Sequence, residues 1–108
     1  MKYNFKITAF YKFLKQTDEA MFLLKTELET AAAGLQISGL IITACEGANG
    51  TVAGTPDNIE KFKKKLSLTL QSNEIKFKDS WAFKNPFRRF KVKTRQEIVS
   101  IGSTELFP

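Results

Sequence analysis

The sequence predicts an α+β domain in which two helices cover one face of an antiparallel sheet, the split β-α-β arrangement. Three observations predict it. Apolar residues recur with a period of two at the start of the chain and again after residue 73, two intervening stretches carry the longer period of a helix, and glycine or proline marks the junctions. A chain of 108 residues has length for one hydrophobic core and not for two.

Phe5, Ile7, Ala9, Tyr11 and Phe13 alternate with Lys6, Thr8, Phe10 and Lys12, which predicts a first strand whose apolar, odd-numbered set lies on its buried face. Thr17 is a fitting N-cap, and Asp18 and Glu19 suit the positive end of a helix. Met21, Leu24, Leu28, Ala31 or Ala32, and Leu35 then recur at helical spacing, so a helix is predicted over 18–33, stopped by Gly34. The run ISGLIITACE reads as a strand buried on both faces or at the centre of a hairpin, GANG as the hairpin turn and TVAG as a short returning strand. Thr55 and Pro56 open a second helix as N-cap and N1. Its inward stripe is Ile59, Phe62, Leu66 and Leu70, with Lys61, Lys63, Lys64 and Lys65 mostly outside, adding a basic face.

In NEIKFKD, Ile75 and Phe77 again alternate with Lys76 and Lys78, completing strand, helix, strand, strand, helix, strand. The chain continues past that motif. Asn85 and Pro86 mark a turn, after which Phe90 and Val92 alternate with Arg89, Lys91, Lys93 and Arg95, an additional strand or extended arm. The expected domain is 1–95, and 96–108, ending in the aperiodic STELFP, is a C-terminal extension and the start of a linker.

Charge is concentrated. Residues 61–95 hold twelve Lys and Arg against Glu74 and Asp79, a local +10, whereas the rest of the chain has five cations against nine carboxylates. Such polarity favours an anionic partner. No apolar stretch is long enough to span a bilayer and no signal peptide precedes the first strand, so a cytoplasmic setting without a membrane partner is expected.

Much chemistry is excluded by composition. There is no histidine and only one cysteine, which removes His-based acid–base, nucleophilic and metal sites and any internal disulfide. Cys45 sits in an apolar strand beside Glu46 and reads as a small core residue. ACEGANGTVAG lacks the lysine of a phosphate loop, and its Asn49-Gly50 pair suits a hairpin. Neither a catalytic residue, a metal nor a cofactor is expected. Glu46 and Asn49 stand apart, because a tight turn does not require a carboxylate at its entry. Capping the turn and contacting a partner are equally open to them.

The basic strand is the most informative constellation. Alternate residues share a face about 7 Å apart, so Arg89, Lys91, Lys93 and Arg95 form a cationic row, to which Arg88 adds charge and Phe87 and Trp81 add stacking surface. That combination suits single-stranded or looped RNA. A solvated edge strand kept from aggregating by its lysines is the plainer alternative.

FYKF (10–13), EGANGTVAG (46–54) and FKVKTRQEIVSIG (90–102), in this order and spacing, resemble the N-terminal domain of the rhodanese-domain tRNA uridine hydroxylases. The resemblance implies a ferredoxin-like, acylphosphatase-like module preceding a rhodanese domain that bears the catalytic cysteine. It implies a parent enzyme, an oxidoreductase, that hydroxylates uridine 34 of tRNA at its 5 position with molecular oxygen. The implied partners are the anticodon region of tRNA and the rhodanese domain, with this chain an N-terminal domain that does not itself catalyse. A docking module that contacts the rhodanese domain and no RNA is the alternative. Cys45 matches no catalytic cysteine of the family, and Ala48 stands where the family usually has Ile. GTVAGTPDNIEKF also resembles acylphosphatases, but their phosphate loop needs glycine and arginine where this chain has FYKFLKQTD, and their water-positioning Asn has no counterpart in GLIITACE. Hydrolysis of acyl phosphates is therefore not expected.

Overall fold

Thr17 fixes the first helix, its hydroxyl accepting from the Ala20 N–H at 3.0 Å. The structure, a computed structural model, describes residues 4–71 and 74–95, so the expected extension and linker lie outside the described residues. In chain order the elements are β1 (Phe5–Phe13), α1 (Asp18–Leu35), β2 (Ser38–Ala44), β3 (Gly47–Gly54), α2 (Pro56–Leu70), β4 (Lys76–Ala82) and β5 (Phe90–Arg95). Helix α1 runs through Gly34 and ends at Gln36, which turns left-handed with φ 55° and returns its N–H to Ala32 O. Pro56 opens α2 at N1.

The sheet has five strands in the order β4-β1-β3-β2-β5. Each of its first four is antiparallel to its neighbours among them, as the split β-α-β arrangement requires. The additional segment is a full strand that pairs with β2 in parallel, from Gly39↔Phe90 to Ala44↔Arg95. Both helices lie on one face, where Leu24, Leu28, Ala32, Ile59, Phe62, Leu66 and Leu70 meet Phe10, Ile41, Ala48, Val52 and Val92 in one core. Ala48 is thus an inward residue. Phe62 packs edge-on against Phe90 at 5.9 Å between ring centroids, which ties β5 to the core.

Two expectations are corrected. In β1 the even-numbered residues face the helices: Thr8 and Phe10 are 1% and 5% exposed, whereas Tyr11 and Phe13 are 52% and 68% exposed. The period of two assigned the sets but not which set is covered, and the cover follows from where α1 and α2 pack. The turn is also displaced. Ala44 pairs with Gly47, so the hairpin corners are Cys45 and Glu46 and GANG belongs to β3. Cys45 is consequently exposed and no core residue. Gly47 serves strand approach, since a Cβ there would sit 2.4 Å from Lys12 O. Gly39 combines φ +131° with a would-be Cβ 2.2 Å from Thr51 O, a position closed to any other residue.

Candidate nucleic-acid interface

Directly paired residues of neighbouring strands project to the same face, so the registers define what the sheet presents on its side without helices. One row across the five strands reads Lys76, Tyr11, Asn49, Ile42, Lys93. The adjacent row reads Lys78, Ala9, Thr51, Leu40, Lys91. Each begins and ends in an exposed lysine and is uncharged between. With strands about 4.8 Å apart, the two lysine pairs are separated by about 19 Å.

The sheet's open face is bounded at its other end by the connection 83–89, which passes from β4 at one edge to β5 at the opposite edge. Ser38 Oγ donates to Asn85 Oδ1 at 2.9 Å, and the Phe87 N–H donates to the same oxygen at 3.0 Å, pinning the crossing. At the hairpin end the β1–α1 connection is clamped. Gln16 Nε2 donates to Thr43 Oγ1, Ala44 O and Gly47 O at 2.7, 2.8 and 3.2 Å, while the Leu14 and Gln16 N–H groups bond Glu46 O and Cys45 O.

Of the residues singled out in the sequence, Lys91 and Lys93 lie on this face and Asn49 lies between Tyr11 and Ile42 in the first row. Arg89 precedes β5, exposed, its carbonyl accepting from the Gly39 N–H at 2.7 Å. Arg88 is exposed in the connection, and Arg95 closes β5 in register with Ala44. Glu46 is a hairpin corner, half-buried, its backbone carbonyl held by Leu14.

Other parts of the expected patch are not there. Trp81 stands on the helix-side face of β4 at the far edge, with Lys6 Nζ 5.2 Å above its ring, and so does not join the β5 cations. Helix α2 lies behind the sheet, and its basic face is partly spent. Lys63 bridges Glu60 and Asp79 at 3.2 and 2.9 Å, and Lys65 pairs with Glu27 at 2.7 Å. In that cluster the hydrogen bond to Glu60 raises the Lys6 pKa, and the same bond lowers that of Glu60. Burial pushes Asp79 up, but the Thr8 hydroxyl, Lys63 and Lys6 outweigh it and hold the carboxyl below its ordinary value. Lys76, Lys78, Lys91 and Lys93, by contrast, form no ion pair with any carboxylate among the described residues.

The lysines of β4 and the aromatics of β1 are the components that sequence reasoning missed. Lys76 and Lys78 were visible as an alternation, but only the strand order sets them opposite Lys93 and Lys91. Beyond these cations the face offers hydrogen-bonding groups and rings; no group of three or more acidic or sulfur side chains able to hold a metal occurs among the described residues. No helix among them is long and apolar enough to cross a membrane.

Comparison with known proteins agrees with this architecture. Among solved structures, the BLUF protein BlrB in its dark state superposes with a TM-score of 0.71 at 11% identity, over 96% of this chain and 83% of that one. An acylphosphatase from Coxiella burnetii gives 0.53 at 12% identity, over 85% of this chain and 94% of its own. At such identities the likeness is one of fold. In sequence, a tRNA uridine(34) hydroxylase of Prochlorococcus marinus (strain NATL2A) is 41% identical over 107 residues, 99% of this chain and 34% of the relative. One of Bdellovibrio bacteriovorus is 39% identical over 106 residues, 97% and 30% respectively. This chain therefore spans about a third of the length of those relatives. Residues 5–98 match the family described as the UPF0176 acylphosphatase like domain, and with these relatives beside it the chain belongs to that domain family of the tRNA uridine(34) hydroxylases.

Proposed function

We propose that this domain engages tRNA, at its anticodon region, for a larger oxidoreductase that hydroxylates uridine 34 with molecular oxygen. Chemistry then resides in the part of the parent protein beyond this domain, the rhodanese domain that the family resemblance implies. The observation that carries the reading is the pair of rows with a lysine at each end and no charge between. Two cationic rails flanking a neutral floor suit a phosphate backbone whose bases lie across the sheet. Arg88, Arg89 and Arg95 extend the β5 rail in sequence. The relatives' name, tRNA uridine(34) hydroxylase, supports tRNA as the anion.

The experiment is tRNA binding by the chain and by an Arg89→Glu/Lys91→Glu variant across a salt series. Charge reversal weakens binding and native affinity falls steeply with salt; equal, salt-independent binding by both sinks the reading.

A second reading has its own observation. Phe22, Leu23 and Leu68 are large, apolar and exposed on the helical layer, opposite the lysine rows. They would favour a docking role toward the rest of the parent protein, with Glu46 and Asn49 as further candidates. Supplying that remainder in trans separates the two: docking predicts NMR shifts at α1 and α2 or at Glu46 and Asn49, and their absence at all of these removes it.

A further inference from the structure

We infer that Tyr11 and Phe13 form a stacking shelf for an unpaired RNA base, so that the sheet selects single-stranded over duplex nucleic acid. This rests on the reading of the open face as an RNA surface, and deepens it by naming the nucleotide state that is recognised.

The two rings are more than half exposed although they stand on a strand at the interior of the sheet. Large apolar side chains in that position are normally covered by a second layer. Here the two helices occupy the other face, and the 83–89 connection crosses at the Ser38 end, away from the rings. The rings also hold one another. Their centroids are 4.8 Å apart at 72°, an edge-to-face contact that fixes both side chains before any ligand arrives. Ordering costs on binding fall accordingly.

The neighbours specify the ligand. Beside Tyr11 on the same face stand Lys76 and Asn49, and beside Phe13 stands Gly47, which leaves the approach to the ring clear. A cation one strand away from the ring can hold a phosphate while the attached base covers the aromatic surface. Asn49, half-buried, offers both a donor and an acceptor toward a base edge. No carboxylate occupies any described strand position of this face; Glu46 at the hairpin corner and Glu74 two residues before Lys76 lie at its border. In a duplex the bases are stacked on each other and their faces are unavailable. Only an unpaired nucleotide can use the shelf.

The test is anisotropy titration of labelled oligouridine, and of a blunt RNA duplex with the same number of phosphates, against the 108-residue chain and three variants. Tyr11→Ala/Phe13→Ala is expected to weaken oligouridine binding by about 5-fold or more while leaving its salt slope and the duplex affinity unchanged. Tyr11→Phe/Phe13→Tyr, which keeps both rings, is expected to bind as the native chain does. Lys91→Gln/Lys93→Gln reports on the charged surface by itself. If the alanine pair binds oligouridine as tightly as native while the lysine variant loses affinity, the shelf is refuted and the RNA surface stands. Equal loss of both RNAs by the alanine pair also refutes the shelf. If the lysine variant loses nothing, the RNA surface fails and the shelf with it.

Discussion

Replacing Lys91 and Lys93 by glutamine removes the charge from one end of both lysine-bounded rows without adding a repulsive group. Four lysines, Lys76, Lys78, Lys91 and Lys93, bound those rows. If each neutralises one phosphate, the logarithm of affinity falls against the logarithm of salt with a slope of about −2.8 for single-stranded and about −3.6 for duplex contacts. Between about 50 and about 200 mM salt, native tRNA binding therefore weakens by about 50- to 150-fold. Halving the cations halves the slope, and the variant weakens by only about 7- to 12-fold over the same range. Fluorescence anisotropy with labelled tRNA measures both slopes. The control is Lys61→Gln/Lys64→Gln, an equal change in net charge on exposed positions of α2, behind the sheet. It keeps the native slope if location matters. A Lys91/Lys93 variant with the native slope, or a control with the same reduction, refutes the reasoning that these rows hold the phosphates.

Four further expectations concern the scaffold. Glu60 and Asp79 have pKa values held below their ordinary 4.5 and 3.8, so their stabilisation is intact above those values and is lost as pH falls through the lowered ones; thermal melts from about pH 5 to about pH 2 should show a falling acid limb, flatter in Asp79→Asn. The opposite sign holds for Lys6, whose raised pKa gives stabilisation present below 10.5 and lost at more alkaline pH. Gly39→Ala places a Cβ against Thr51 O in a backbone conformation that alanine resists, and should cost about 2 kcal/mol or more in urea unfolding; native stability would contradict the close approach. Gln16→Ala leaves the fully buried Thr43 hydroxyl and two hairpin carbonyls without their amide donor, a loss of about 1–3 kcal/mol, with faster amide exchange at Gly47 as its local signature.

The helices were legible because a single stripe decides them: Ile59, Phe62, Leu66 and Leu70, read from spacing, are the buried residues of α2. Strand β1 was legible in extent and not in orientation. Period two gives two sets of residues, and Phe10, standing among Lys6, Thr8 and Lys12, was the one large apolar member of the set that is in fact inward. The apolar look of the other set reflects a face that the helices leave open. The hairpin misled because its glycines answer to strands passing closely, a demand set by residues distant in sequence such as Lys12 and Phe13. For the candidate site, the alternation in β5 disclosed one rail. Its counterpart on β4, and the withdrawal of Lys63 and Lys65 into ion pairs, depend on strand order and on which carboxylates the fold brings near.

The parallel pairing of β5 sets a direction. Arg95, its last residue, is in register with Ala44, which pairs with Gly47, which pairs with Phe13. The last described residue therefore lies on the row that carries Phe13, three strands and about 14 Å away. Whatever follows is tethered at the aromatic end and not at the end closed by the 83–89 crossing. A nucleotide held there would be presented to any module joined to this domain at an effective concentration set by the length of the connecting chain.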